Sequence, residues 1–155
     1  MVQEDKELLI KDLCARLDTN LVCSIYRTDD EGVGYRDEIL HGYCKGDIWY
    51  EFYFREDCSI GIDNVSKIKP YLFPLSSMTE EQLYEIKEIT EFKYNHNTLE
   101  LVKWTETHTT LEFWLEEVPQ YKVIEVFDWL NKNHFDYRCL IEKGLAIDAT
   151  GLNIY

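Results

Sequence analysis

Leu9, Leu13 and Leu17 recur at every fourth residue, with Ile10 and Cys14 beside them and Glu7, Lys11 and Arg16 on the polar side. That spacing predicts an amphipathic helix over 4–17, ended by Asp18-Thr19-Asn20. From Leu21 to about Val65 the period falls to two. Leu21, Cys23 and Ile25 alternate with Val22, Ser24 and Tyr26, and Asp29-Asp30-Glu31-Gly32 turns the chain. A second strand is expected around Ile39–Cys44, with Gly42 as a bulge or close-packing point, followed by a hairpin turn at Lys45-Gly46-Asp47. The clearest strand is 48–55: Ile48, Tyr50, Phe52 and Phe54 share one face, and Trp49, Glu51, Tyr53 and Arg55 share the other. After a turn at Glu56-Asp57 a short strand, 59–62, completes an antiparallel meander of four strands.

Residues 66–78 hold two of the three prolines and no period, and read as an ordered connector with Tyr71, Leu72, Phe73 and Leu75 turned inward. Thr79-Glu80-Glu81-Gln82 fits a capping box, and Leu83, Ile86 and Ile89 carry a helix from it to about Phe92. Beyond Asn95-His96-Asn97, the runs 99–104 and 111–116 alternate as a β-hairpin with an acidic outer edge. Pro119 suits a helix start, and Val123, Val126, Phe127 and Leu130, widened by Trp129, form one stripe. Asn131 to Asn133 weakens that helix, His134-Phe135-Asp136-Tyr137-Arg138 follows as a polar-aromatic knot, and a short apolar run ends at Gly151. The whole is one α+β domain, 1–155: an antiparallel meander plus a hairpin, with about three helices packed on the sheet.

A hydrophobic content of 45% in 155 residues supports a packed core rather than a disordered chain. No apolar run is long enough to span a bilayer, and the acidic, amphipathic start lacks the pattern of a signal peptide, so a cytoplasmic location is expected. Five scattered cysteines without a CxxC do not describe a disulfide framework or a zinc site. Most are expected to be small buried hydrophobes in a reducing compartment.

The net charge of −14 changes the picture most. Asp29 to Asp63 carries ten acids against three bases, and Glu80 to Glu117 carries the same, whereas 64–79 has two lysines and no acid. Direct nucleic-acid binding is therefore not expected, since it relies on Lys and Arg at the phosphates. Such an excess serves solubility, or it meets a basic partner protein.

Candidate chemistry concentrates in the knot, where His134, Asp136, Tyr137 and Arg138 have the makings of acid, base and anion-binding groups. The preferred reading is structural: His134 or Asp136 caps backbone groups and Arg138 pairs with a carboxylate, fixing the exit from the helix. His41, His96, His108 and His134 lie far apart in no ligand spacing, so neither metal nor cofactor is expected. No calcium loop, phosphate-binding glycine motif or nucleophile elbow occurs, and Gly32-Val33-Gly34 reads as a turn. Trp49, Glu51, Tyr53, Glu100, Glu112, Trp114 and Glu116 are the candidate binding residues: aromatic groups set among carboxylates, suited to a protein surface rather than to bases.

Two segments, IKPYLFPLSSMTEEQ (Ile68–Gln82) and FDWLNKNHFDYRCLIEKGLAIDATGLNIY (Phe127–Tyr155), resemble a set of small uncharacterised proteins of anaerobic gut bacteria and of their phages and mobile elements. The shared pattern reads roughly KPYLxP(L/M)SSMTEE and WLNxxHFDYRGLIxxGLA, and this chain has Cys139 where that pattern has glycine. The resemblance implies an accessory role and supplies no activity or catalytic residue. The expected function is a non-enzymatic interaction module of a phage or mobile element, acting through an acidic, aromatic β surface on a protein partner. A narrower version is an inhibitor whose carboxylates imitate nucleic-acid phosphates. The competing classes are a small enzyme built on the knot and a passive domain of a larger assembly.

Overall fold

The computed structural model describes residues 1–29, 32–45, 50–55, 58–90 and 120–155. The leucine stripe forms helix α1 (Gln3–Ala15), which buries Leu9 and Leu13 completely and leaves Leu17 packed at the margin. Asn20, in the left-handed region at φ 56, reverses the chain into β1.

Strands β1 (Val22–Asp29) and β2 (Gly32–Ile39) form an antiparallel hairpin in register from Val22↔Ile39 to Asp29↔Gly32. The turn lies where the acidic run predicts it. The second strand, however, begins at Gly32 rather than near Ile39, so Gly32-Val33-Gly34 is strand and not turn. β3 (Gly42–Lys45), β4 (Tyr50–Arg55) and β5 (Cys58–Gly61) then build a separate three-stranded antiparallel sheet. The expected single meander is thus divided at Leu40-His41. There the Leu40 amide donates to Leu21 O, while the next amide, of His41, donates to Tyr53 O in the other sheet. Gly42 opens β3 with free space around it, so it is neither a bulge nor a close-packing point; the register shift falls between Tyr53 and Arg55. Along β4 the expected alternation holds, with Phe52 and Phe54 buried and Glu51 and Tyr53 half-buried.

The stretch expected to be an irregular connector contains a central strand, β6 (Ile68–Pro74), entered through a 3-10 helix (Ile62–Lys67). It pairs antiparallel with β1 through Ile68–Pro70. It pairs parallel with β8 (Ile147–Asp148) at Tyr71 and Leu72, and with β7 (Phe135–Asp136) at Phe73 and Pro74. Each ladder is only two or three residues long, so the donors missing at Pro70 and Pro74 interrupt little pairing. The predicted inward turn of Tyr71, Leu72 and Leu75 holds, and Phe73 is half-buried.

Helix α2 (Glu80–Thr90) starts with the predicted capping box: the Thr79 amide donates to Gln82 Oε1 at 2.9 Å and the Gln82 amide to Thr79 Oγ1 at 3.3 Å. Helix α3 (Val123–Lys132) follows a short 3-10 turn (Gln120–Lys122). The hairpin expected over 99–116 lies outside the described residues, as do Gly46, Asp47, Glu56 and Asp57. Leu9, Leu13, Ile25, Phe52, Phe54 and Leu72 belong to one apolar cluster. Leu83, Ile86, Val126, Leu130 and Phe135 belong to a second, and β6 contributes to both through Leu72 and Phe73. The fold is α+β. Among the described residues no helix is long and apolar enough to cross a membrane.

Candidate functional site

The predicted knot begins where α3 runs out. Asn133 closes the helix, and His134, at φ 59, turns the backbone so that Phe135-Asp136 can lie beside β6. His134 O accepts from the Phe73 amide at 2.9 Å, which fixes that turn to the sheet. The reversal puts all four candidate catalytic residues at the junction of α1, α3 and β6.

Asp136 is buried, and its carboxylate accepts three backbone N–H bonds, from Ile141 at 2.8 Å, Leu140 at 2.9 Å and Arg138 at 3.3 Å. Burial raises its pKa above the ordinary carboxylate value, and the three amide bonds oppose that rise. The carboxylate therefore organises the loop after β7 and has little capacity left for a substrate. Tyr137 donates its hydroxyl to Asn131 Oδ1 at 2.9 Å, with the Arg138 guanidinium 4.6 Å from its ring centre. Burial pushes its pKa up as well. Arg138 reaches Asp12 Oδ1 of α1 at 3.0 Å.

Asp12 leads to a buried ion pair, one member of which was expected in water. Arg16, expected on the polar side of α1, is completely buried together with Asp12. Arg16 grips Asp12 through two bonds, Nε to Oδ2 at 2.9 Å and a terminal nitrogen to Oδ1 at 3.1 Å. It also donates to Phe135 O at 2.7 Å and to Asn131 O at 3.4 Å. The signal was present: 12 and 16 stand three and seven positions after Leu9, on the same stripe as Leu13. A charged pair four residues apart on an apolar stripe is a buried pair in waiting.

His134 is the exception to this bonding. Its side chain is only 8% exposed and its Nδ1 is buried without a hydrogen-bond partner. The ring lies flat on Tyr155, 4.0 Å between centres and 10° between planes. Burial, reinforced by the Arg16 charge, lowers its pKa to about 4. A neutral, stacked imidazole beside a cation is poorly placed to take a proton near neutral pH.

Of the candidate binding residues, Glu51 and Tyr53 sit two apart on β4, half-buried, with the Tyr53 hydroxyl donating to Glu51 Oε2 at 3.3 Å. Trp49, Glu100, Glu112, Trp114 and Glu116 lie outside the described residues. Among the described residues, no group of three His, Cys, Asp or Glu is arranged to hold a metal ion. Cys23 is buried, while Cys14, Cys44 and Cys139 are half-buried, and all four are free thiols. No family model, curated protein or solved structure matches the chain.

Sequence reasoning gave no hint of the outer side of the β1–β2 hairpin. In β2 the usual alternation is reversed. Val33 (66% exposed), Tyr35 (66%) and Ile39 (40%) point outward, while Glu38 is buried and Arg36 half-buried on the other side. Glu38 stands 3.7 Å from Arg27 on β1. Tyr26 meets Tyr35 edge-on at 5.2 Å, and Asp37 accepts from the Tyr71 hydroxyl at 2.9 Å. The missing signal is explicable, because glycines and charges in β2 hide the period that β1 shows plainly.

Proposed function

We propose that this protein is a non-enzymatic interaction module that binds a protein partner through its β surface. The observation that carries this reading is the outward apolar row of β2, Val33, Tyr35 and Ile39, beside the half-buried Tyr26. Apolar and tyrosine side chains held out on one sheet face are the makings of a protein contact. The net charge of −14 favours a partner with a basic surface and works against a second copy of the same chain. The bonding of Asp136, Tyr137 and Arg138 into the fold weighs against the competing enzyme. An accessory role on a phage or mobile element is what the resemblance of the segments Ile68–Gln82 and Phe127–Tyr155 implies. The narrower reading, carboxylates imitating phosphates, rests on Glu100, Glu112 and Glu116.

Capture of partners by the tagged protein from a lysate of an anaerobic gut bacterium, at low and at high salt, tests the reading. A basic protein retained at low salt and released at high salt is the expected result. Failure to retain any protein at either salt concentration, with turnover of a small molecule abolished by Asp136→Asn, would transfer the case to the enzyme.

A further inference from the structure

We propose that His134 and Tyr155 form an acid-released clasp that holds segment 149–155 against the sheet. Ala149 is bound into the fold, its amide donating to Leu72 O at 2.8 Å. Beyond it the described bonds of Thr150 and Leu152 are local, to Asp148 and Ala149, and residues 150–153 are exposed. The strap is next secured at Tyr155. There the hydroxyl donates to Tyr71 O at 2.7 Å, and the ring lies against Phe73 at 5.8 Å and flat against His134.

The His134 side of the clasp cannot easily adapt. Its backbone is fixed at both ends, the amide donating to Asn131 O at 3.1 Å and the carbonyl accepting from Phe73. A proton added at the buried Nδ1 finds no acceptor. The charged groups facing the clasp come from α1: Arg16, which disfavours a cation there, and Asp12, whose carboxylate is already engaged by Arg16 and Arg138. Cys23 of β1 also faces Tyr155; burial holds its thiol above the ordinary value, so it stays neutral and offers no counter-charge. Stacking on Tyr155 would favour an imidazolium, but the depressed pKa of about 4 shows that burial and Arg16 prevail.

The cheapest response to acid is therefore for Tyr155 to lift away and let water reach the ring. The closed state binds the proton less well than the open one. As pH falls from 6.5 towards 4 the open fraction rises, by roughly a hundredfold across the window.

Amide exchange at Val22, whose N–H donates to the Tyr155 hydroxyl, corrected for intrinsic rate and followed with the Tyr155 ring resonances, reads this opening in the intact chain. Exchange rising on the order of a hundredfold between pH 6.5 and 4, while α1 and α3 stay protected, is the expected result. His134→Phe keeps the stack without the titration and should abolish the pH dependence. His134→Asn, whose side chain tolerates φ near 59, should abolish it too should the phenylalanine variant fail to fold. The proposal is overturned by an unchanged pH slope in either folded variant, by a strap that stays closed to pH 4, or by opening only with loss of the whole fold.

Discussion

The junction around Asp136 and the outer side of β2 treat their side chains in opposite ways. At the junction, Asp12, Arg16, Asn131, Asp136 and Tyr137 are withdrawn from water and bonded to one another or to backbone. On β2, valine, tyrosine and isoleucine are left in water. The chemistry-bearing region thus holds α1, α3 and β6 together, and the chemically inert region is the one left in water, where the proposed partner contact lies.

The strongest way to break that contrast is to remove the hub of the junction. Asp12→Ala leaves Arg16 completely buried without its bidentate partner and deprives Arg138 of its carboxylate. Chemical denaturation should show a loss of about 3–5 kcal/mol, the range for breaking one side of a buried ion pair. A loss under 1 kcal/mol would mean that water reaches Arg16, and the junction would cease to be a closed network. Asp136→Ala comes next. It strands the amides of Arg138, Leu140 and Ile141, and should cost roughly 2–3 kcal/mol by the same measurement, with Asp136→Asn recovering part of it.

How much of this contrast could be read from the residues alone follows the range of the interactions. Local signals served well. The leucine stripe of α1, the Thr79–Gln82 box, the stripe of α3 and the backbone capping by Asp136 all depend on neighbours a few positions apart, whereas the carboxylate expected for Arg138 is Asp12, 126 residues away. β6 was missed because two prolines mask it and because its parallel partners lie 62 or more residues further on, at Phe135 and Ile147. The division of the β region into two sheets turns on the bonds of Leu40 and His41, which leave no mark on the period. Half of the site's network was hidden for another reason. Charged side chains on a helix are read as solvent-facing by default, and Asp12 and Arg16 are not.

Cys139 provides a smaller, sharper test within the junction. It sits at φ 57, a backbone region that costs an L-residue about 1–2 kcal/mol. Glycine removes that strain but gives back about 0.5–1 kcal/mol in unfolded-state freedom. Cys139→Gly should therefore stabilise the fold by about 0.5–1 kcal/mol, seen as a Tm higher by about 1–4 °C. A lower Tm would show that the half-buried thiol contributes packing that outweighs the strain.

The smallest expected effect on stability is also the one that bears most on the proposed role. Val33→Thr with Ile39→Thr keeps β-branched side chains on β2 while removing the apolar character of its outward row. Both positions are too exposed for much burial energy to be lost, so the folded state should change by no more than about 0.5 kcal/mol. If that row is where a partner docks, the same pair of changes should abolish retention of the salt-sensitive partner, since an interface centre loses affinity when its apolar groups are made polar. Retention that survives in a variant of unaltered stability would remove the β2 row from the proposed interface. The candidates then become the half-buried Glu51–Tyr53 pair of β4 and the acidic residues further along the chain. A large drop in stability would say something different: the row would be packed against part of the protein itself, and the reversed alternation of β2 would belong to the core.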